Sequence, residues 1–263
     1  MMEASTPIST PVAQSLLSHL DAQLSGRSVL DIRIGLLYVA VRLTGGATGV
    51  AHLLAEREGP CRPVPGAGSL PGTPAQEMAR WILSSDTAEA SVGLAVLNAA
   101  ATDLAQAHRE GDVRDLLRIS DRDRVAMVGY FAPLLPWLRT VGAHLDILEL
   151  KCCSGARSAE DAGVVLPQCD VALITATTLA NHTLDDLLTL AGDAREVVLL
   201  GPSTPMVPEV FAGTPVTLLA GVEVLDGSAM LRIVSEGGST RQFGPAVRKV
   251  CARISDPPET HSL

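Results

Sequence analysis

Apolar residues in the second half of the chain form short runs that alternate with amphipathic segments. VALIT at 171–175 and EVVLLG at 196–201 have the length of buried strands, and each run leads into a cluster of small polar residues. Between them, Thr183 followed by two aspartates predicts a helix N-terminus, with a hydroxyl cap and carboxylates in the positive first turn. The pattern therefore predicts strand, polar loop, helix, strand and polar loop.

The same alternation continues over residues 119–263. Strands are predicted at 124–131, 144–150 and 215–225, with short helices between them and a terminal helix from about Gly244 to Ile254. Strands separated by such helices imply right-handed crossovers and a mainly parallel sheet covered on both faces. We therefore predict a Rossmann-like, doubly wound α/β domain.

Residues 1–118 have a different texture. An amphipathic helix is predicted at 12–24, a three-stranded antiparallel meander at 29–54, and helices at 77–85 and 87–108. This pattern predicts a smaller α+β domain. A charged segment, HREGDVRDLLRISDRDR, interrupts the apolar pattern and places the domain boundary near residue 119. The Pro- and Gly-rich segment 56–76 is predicted to be a surface loop, either a plain connection or a lid over a ligand.

Composition narrows the classes of function. The net charge of -9 argues against a general nucleic-acid or anionic-membrane binder, so no nucleic acid and no membrane partner is expected. The N-terminus has neither a basic region nor an apolar core of a signal peptide, which predicts a cytoplasmic protein. The five cysteines have no C-x-x-C spacing and are expected to be reduced. A small polar ligand is the expected partner, and a homo-oligomer is left open.

Polar side chains collect at the ends of the two central strands. In an open parallel sheet these ends face the ligand crevice, where hydroxyl and amide groups can orient an anion or a polar ligand. The candidates are Thr175, Thr177, Thr178, Asn181, Thr183, Ser203 and Thr204. His182 is the nearest candidate base in sequence, but the sequence identifies no nucleophile or general base.

The first strand of the predicted α/β domain ends in GYFAP rather than a G-x-G-x-x-G motif. Gly129 stands alone and Phe131 fills space that a pyrophosphate would need, so neither NAD nor FAD is expected. Glu149, 20 residues beyond Gly129, is either a solvated acid or an acceptor for ribose hydroxyls. Asn98 in an apolar helix either braces backbone or reaches a ligand.

The residues that could serve as metal ligands are scattered along the chain. Cys152 and Cys153 are adjacent and would face opposite ways on a strand, and His144, His182 and Cys169 fall on different segments. The sequence supports no zinc-like cluster.

Several segments carry a resemblance to a known family. VGYFAPLLPWLR, DILEL, LPQCDVALITATTLANHTLDDLL and VVLLGPSTPMVPEVFAGTPVTLLAGV resemble the family described as putative heavy-metal chelation proteins, over about residues 119–250. Its T-x-x-T-L-x-N-x-T and G-P-S-T-P elements are both present. The preceding half, with its meander and the NAA helix, resembles the enolase N-terminal-like domain usually fused to that family.

The resemblance implies a ligand cleft between an enolase N-terminal-like domain, residues 1–118, and a Rossmann-like domain, residues 119–263. Its implied cleft residues are Asn98, Gly129, Thr177, Asn181, Thr183, Gly201, Ser203, Thr204 and Pro205. It implies binding or handling of a metal ion or metal chelate, in metal homeostasis, cofactor assembly or metallophore chemistry, with the metal unidentified. Two alternatives stay open: an enzyme acting on a nucleotide-like or adenosyl-containing substrate, and a scaffold protein with a vestigial cleft.

Overall fold

The first part of the chain folds around a three-stranded antiparallel sheet. The structure is a computed structural model that describes residues 10–54, 63–150 and 155–254. Its first elements, in chain order, are α1 (Pro11–His19), α2 (Asp21–Leu24), β1 (Val29–Ile34), β2 (Tyr38–Leu43), β3 (Thr48–His52), α3 (Ala75–Ala79) and α4 (Thr87–Ala101). Strand β2 pairs antiparallel with both β1 and β3, which confirms the predicted meander.

Helix α4 is buried over most of its length because the sheet covers one side of it and α3, with the turn that follows α3, covers another. Its start is capped, since the Asp86 carboxylate accepts hydrogen bonds from the backbone N–H groups of Ala88 and Glu89. The Glu89 carboxylate accepts a 2.6 Å bond from the Ser84 hydroxyl, which ties the cap to the preceding turn.

The rest of the chain forms an eight-stranded sheet with helices between its strands. The elements are β4 (Arg109–Glu110), β5 (Arg124–Val128), α5 (Leu135–Val141), β6 (His144–Glu149), β7 (Arg157–Ser158), α6 (Ala162–Val165), β8 (Val171–Thr175), α7 (Leu184–Leu190), β9 (Glu196–Leu200), α8 (Pro208–Phe211), β10 (Leu218–Val224), α9 (Gly227–Ser235), α10 (Thr240–Phe243) and β11 (Val247–Arg253). The fold is therefore mixed α/β, as predicted from the alternating pattern.

The order of strands across this sheet is β4-β11-β10-β9-β8-β5-β6-β7. Strands β5 to β10 are parallel, whereas β11 runs antiparallel to both of its neighbours, β10 and the edge strand β4. From β5 the chain moves outward through β6 and β7, then returns to β8 and moves the other way. The order of strands thus reverses between β5 and β8, and sheets of this kind bind ligands outside the carboxyl ends of the strands at that point.

Both faces of the large sheet are covered, because successive strand residues point to opposite sides. Val125 and Met127 of β5 join the apolar cluster that contains the buried residues of α5. Ala126 and Val128 join the cluster that contains the buried residues of α6 and α7. The apolar strand runs are continuous for this reason.

The predicted terminal helix from Gly244 to Ile254 is wrong, because this segment contains β11. The chain leaves α10 through Gly244, whose φ is 45°, and Pro245, and it then pairs antiparallel with β10 over the full length of both strands. Val250, Cys251 and Ala252 are buried in the sheet. The edge of β10 supplies hydrogen-bond partners for the backbone N–H and C=O groups of this segment, and the local sequence does not reveal that edge.

Helix α9 belongs to the second half of the chain but packs on the three-stranded sheet. Its Met230, Leu231 and Val234 form one buried cluster with Tyr38 and Val50, on the face of the sheet opposite α4. The predicted domain boundary near residue 119 stays a prediction. No helix in the described ranges combines the length and the apolar character needed to cross a membrane.

Candidate functional site

A cleft of about 840 Å³ lies at the carboxyl ends of the parallel strands. The ends of β5, β6, β8 and β9 line it, together with the start of β2 and the end of β3. Ten of the site residues predicted from the sequence line this cleft: Gly129, Phe131, Glu149, Thr175, Thr177, Thr178, Asn181, Thr183, Gly201 and Ser203. The fold thus brings together side chains that are up to 74 positions apart in the sequence, the span from Gly129 to Ser203.

Phe131 provides an aromatic surface between two glycines that follow parallel strands. Gly129 has a φ of +90° and Gly201 a φ of +111°, a region that glycine adopts at little cost. A Cβ built on Gly129 would lie 2.9 Å from Thr175 Cγ2 and 3.8 Å from the Phe131 ring. The ring is also 3.7 Å from a Cβ built on Gly201. The two ring distances are ordinary van der Waals contacts, so the positive φ at both positions, and the close Thr175 methyl at Gly129, favour glycine here.

The turn after β8 contains three threonine hydroxyls. Thr178 Oγ1 donates a 2.6 Å hydrogen bond to the Thr175 carbonyl and stabilises a 3₁₀ turn over Ala176–Leu179. Thr175 Oγ1 and Thr177 Oγ1 are 3.0 Å apart and share one hydrogen bond. Since each hydroxyl carries one proton, this bond uses one of the two protons of the pair and leaves the other outside it.

The start of α7 differs from the predicted cap. Thr183 has helical backbone angles, φ -98° and ψ -7°, and its side chain makes no capping bond. Its hydroxyl donates a 2.8 Å hydrogen bond to Asn181 Oδ1, and its backbone N–H donates to the same oxygen at 3.3 Å. Thr183 therefore occupies the predicted N-cap position of α7, but the predicted hydroxyl cap does not form, because a capping residue normally has an extended rather than a helical backbone.

The loop after β9 lines the cleft with Gly201, Pro202 and Ser203 and buries the two residues that follow. Ser203 lines the cleft, and its Oγ accepts a 2.8 Å hydrogen bond from the backbone N–H of His52. Thr204 Oγ1 donates a 3.1 Å bond to the Ala220 carbonyl in β10, and Pro205 is buried. Thr204 and Pro205 lie outside the cleft lining and hold the loop from behind.

Asn98 braces two backbone segments. Its Nδ2 donates to the Val50 carbonyl at 2.9 Å and to the Ser203 carbonyl at 3.1 Å. Its Oδ1 is buried and has no hydrogen-bond partner within the described residues. Asn98 does not line the cleft, so its contacts match the bracing role that the sequence left open beside a ligand role.

Glu149 supplies a carboxylate at the cleft. It ends β6 directly beside Gly129, because Val128 and Leu148 are register partners and Gly129 N–H donates to the Leu148 carbonyl. Glu149 Oε1 accepts a 2.9 Å bond from the backbone N–H of Leu150. This local bond orients the carboxylate at the rim of the cleft.

Sequence reasoning missed three aromatic residues on the opposite wall. The Tyr38 ring meets the His52 ring edge-on with centroids 5.2 Å apart, and it meets the Phe243 ring at 5.0 Å. Burial lowers the pKa of His52 and raises the pKa of Tyr38 to about 12. Tyr38 and His52 occupy the terminal positions of β2 and β3, so the strand pattern alone contained no signal for this site.

His182 does not lie among the residues that line the cleft. Its Nε2 donates a 2.7 Å hydrogen bond to the Ser84 carbonyl, and it adopts a positive φ of 61°. This bond fixes the loop after β8 to the turn before α4.

The cleft contains one described thiol. Cys251 lines it, donates weakly from Sγ to the Gly111 carbonyl at 3.7 Å, and has a pKa raised by burial. Cys169 is buried elsewhere, and burial raises its pKa to about 11. The described ranges contain no group of three or more His, Cys, Asp or Glu side chains that could hold a metal ion. Cys61, Cys152 and Cys153 lie outside the described residues, as do residues 56–62 of the predicted loop or lid.

The fold and the sequence of this chain are similar to those of several known proteins. A solved structure from Pyrococcus horikoshii, a DUF364 family protein of unknown function, superposes with a TM-score of 0.79 at 22% identity, covering 92% of this chain and 100% of that one. A second such protein, from Desulfitobacterium hafniense, gives 0.73 at 27% identity, covering 91% and 98%. An uncharacterized protein of Methanocaldococcus jannaschii is 29% identical over 178 residues, which are 65% of this chain and 68% of the relative.

Two family models match the chain. One, DUF364, matches residues 112–253, and the other, DUF4213, matches residues 17–101; both are described as putative heavy-metal chelation. The first match alone spans more than half of the chain. The chain therefore belongs to the DUF364 family, described as putative heavy-metal chelation.

Proposed function

We propose that the cleft binds a metal chelate, meaning a metal ion already held by a small polar organic molecule. The observation that carries this proposal is the size and lining of the cleft. Its volume of about 840 Å³ is within the range of pockets for organic ligands, about 300–1,000 Å³, and far exceeds what one ion needs. The description of the family as putative heavy-metal chelation is the reason for proposing a ligand that contains a metal.

The donor groups of the cleft favour an organic ligand over a bare heavy-metal ion. Hydroxyls at Thr175, Thr177 and Ser203 and the amide at Asn181 suit hydrogen bonding to organic polar groups. Heavy, soft metals prefer thiolates, whereas burial keeps the Cys251 thiol protonated at neutral pH. The organic part of the chelate would then supply most of the coordination shell, and the chain would hold that part.

Such a site suits metal homeostasis, cofactor assembly or metallophore chemistry. The polar turn after β8 would hold the polar groups of the chelate, and the Phe131 ring would pack against its apolar atoms. Native mass spectrometry of the purified protein, with elemental analysis, tests this directly. We expect a bound mass that exceeds a metal ion by an organic component. Stoichiometric binding of bare ions, with no affinity for chelates in calorimetric titration, would refute it.

A second candidate ligand has an adenosyl or nucleotide group, and the position of Glu149 favours it. The carboxylate lies beside Gly129 at the crevice where the order of strands reverses, the place where α/β sheets hold ribose hydroxyls. A hydrogen bond to a charged group contributes about 1.5–3 kcal/mol. The Glu149→Lys variant should therefore bind an adenosyl ligand at least about tenfold more weakly.

Calorimetric titration with S-adenosylmethionine and ATP measures this effect. Glu209→Lys is the matched control, because it makes the same charge change at an exposed position of α8, away from the cleft lining. Equal losses in both variants would assign the effect to overall charge. If the native protein binds neither ligand at millimolar concentration, the adenosyl candidate fails.

A further inference from the structure

Three polar side chains with incomplete hydrogen bonding line one wall of the cleft. They are Tyr38 from β2, His52 from β3 and Ser203 from the loop after β9. Tyr38 is 7% exposed and Ser203 is 2% exposed, so both are held in fixed surroundings. Tyr38 and His52 are direct cross-strand partners, and the Ser203 hydroxyl oxygen accepts the His52 backbone N–H at 2.8 Å. Strand pairing and this bond tie the three residues into one unit.

The burial of His52 determines which ring nitrogen meets the cleft. Its Nδ1 is buried without a hydrogen-bond partner among the described residues. A buried N–H donor without an acceptor is rarer and more costly than a buried lone pair, so Nδ1 carries no proton in the neutral ring. The proton then resides on Nε2, which lies on the other edge of the ring, the edge that lines the cleft. His52 therefore presents a donor.

Ser203 and Tyr38 also present donors. Because Ser203 Oγ already accepts the His52 N–H, its remaining proton is free to point elsewhere, and the described residues offer it no acceptor. The Tyr38 hydroxyl likewise has no hydrogen-bond partner in the described ranges, although its ring is packed against His52 and Phe243. The Tyr38 hydroxyl and His52 Nε2 are not enclosed by the described residues, and all three side chains line the cleft, so an acceptor on a ligand could meet their donors there.

We propose that Tyr38, His52 and Ser203 form a three-donor subsite that binds a carboxylate group of the cleft ligand. This inference rests on the proposed function and narrows it, because the bound chelate would then be one whose organic part is a carboxylic acid. The other wall, with Thr175, Thr177 and Asn181, would hold the remainder of that ligand.

A carboxylate matches this wall better than a phosphate. Its three donors are neutral side chains, and phosphate sites are usually built with Arg, Lys or helix N-termini. The cleft lining also contains three cations, Arg114, Lys249 and Arg241, and the first two are paired with Asp112, at 2.8 Å and 2.7 Å. Asp112 carries one negative charge and offsets only one of these three positive charges.

Calorimetric titration of four variants with defined probes tests the subsite. The carboxylate probes are the nickel complexes of citrate and nitrilotriacetate, and the matched probe is tris(ethylenediamine)nickel, which has no carboxylate. We expect Tyr38→Phe and His52→Leu each to weaken binding of the carboxylate probes about tenfold and to leave the amine probe unchanged. His52→Gln, which restores a donor near Nε2, should recover most of the affinity.

His144→Leu is the control, since His144 is exposed at the far end of β6 and outside the cleft lining. It should bind all probes like the native protein. Thermal unfolding of every variant verifies folding, and Tyr38→Phe keeps the packed ring.

The remaining outcomes distinguish failure of the subsite from failure of the proposed function. If the native protein binds the amine probe but neither carboxylate probe, or if the variants bind carboxylate probes normally, the subsite is wrong while the proposed function stands. If it binds none of the three probes, the proposed function fails and the subsite with it. Inorganic phosphate that binds more tightly than citrate and depends on the same residues would overturn the carboxylate assignment.

Discussion

Replacing Asn98 with aspartate tests whether this residue braces the fold through its donor group. Aspartate has nearly the same shape as asparagine but cannot donate from the Nδ2 position at neutral pH. The change removes the hydrogen bonds to the Val50 and Ser203 carbonyls, at 2.9 Å and 3.1 Å. It also places a negative oxygen against two carbonyl oxygens.

The magnitude follows from those two contacts. A typical internal hydrogen bond contributes a net 0.5–1.5 kcal/mol, and a buried acceptor left without a donor costs about 1–3 kcal/mol. Two lost bonds at a half-buried site therefore lower the free energy of unfolding by about 2–4 kcal/mol, before the repulsion is counted. Destabilisation of this size is well above that of a typical surface substitution.

Urea denaturation followed by circular dichroism measures the loss, and Asn181→Asp provides the matched control. Asn181 uses its acceptor oxygen, which binds the N–H and hydroxyl of Thr183, and aspartate keeps that acceptor. We expect a change of at most about 0.5 kcal/mol at position 181. A loss below about 1 kcal/mol for Asn98→Asp, or equal losses in both variants, would refute the bracing role.

Two further predictions concern stability. Gly129→Ala should lower the free energy of unfolding by about 1–3 kcal/mol, because φ is +90° and the new Cβ would lie 2.9 Å from Thr175 Cγ2. Gly213→Ala is the control: its φ is +85° and nothing lies within 4 Å of the new Cβ, so the same urea titration should show a smaller fall in the free energy of unfolding. The Arg195 guanidinium holds the pKa of Asp123 at about 2, below its ordinary 3.8. The stability of the native protein relative to Asp123→Asn should therefore be full above about pH 4 and decline towards pH 2, and urea midpoints that do not change with pH would contradict this.

The central part of the site could be predicted from sequence because it depends on local patterns. The apolar runs at 171–175 and 196–201 correspond to β8 and β9, and each is followed by the polar turn that the pattern indicated. Parallel strands place their carboxyl ends at one edge of a sheet, so polar residues after each strand must converge. Thr175 and Ser203 were found in this way, and Gly129 with Glu149 followed from their spacing.

The tertiary structure decided the rest. Tyr38 and His52 become cleft residues only because the three-stranded sheet docks with the ends of β2 and β3 beside the large sheet. The segment after Gly244 becomes a strand because β10 offers an unpaired edge, and a short sequence window cannot reveal that edge. Local pattern determines how a segment exposes its side chains, whereas pairing and docking depend on partners far away in the sequence, whose contacts outweigh local preference.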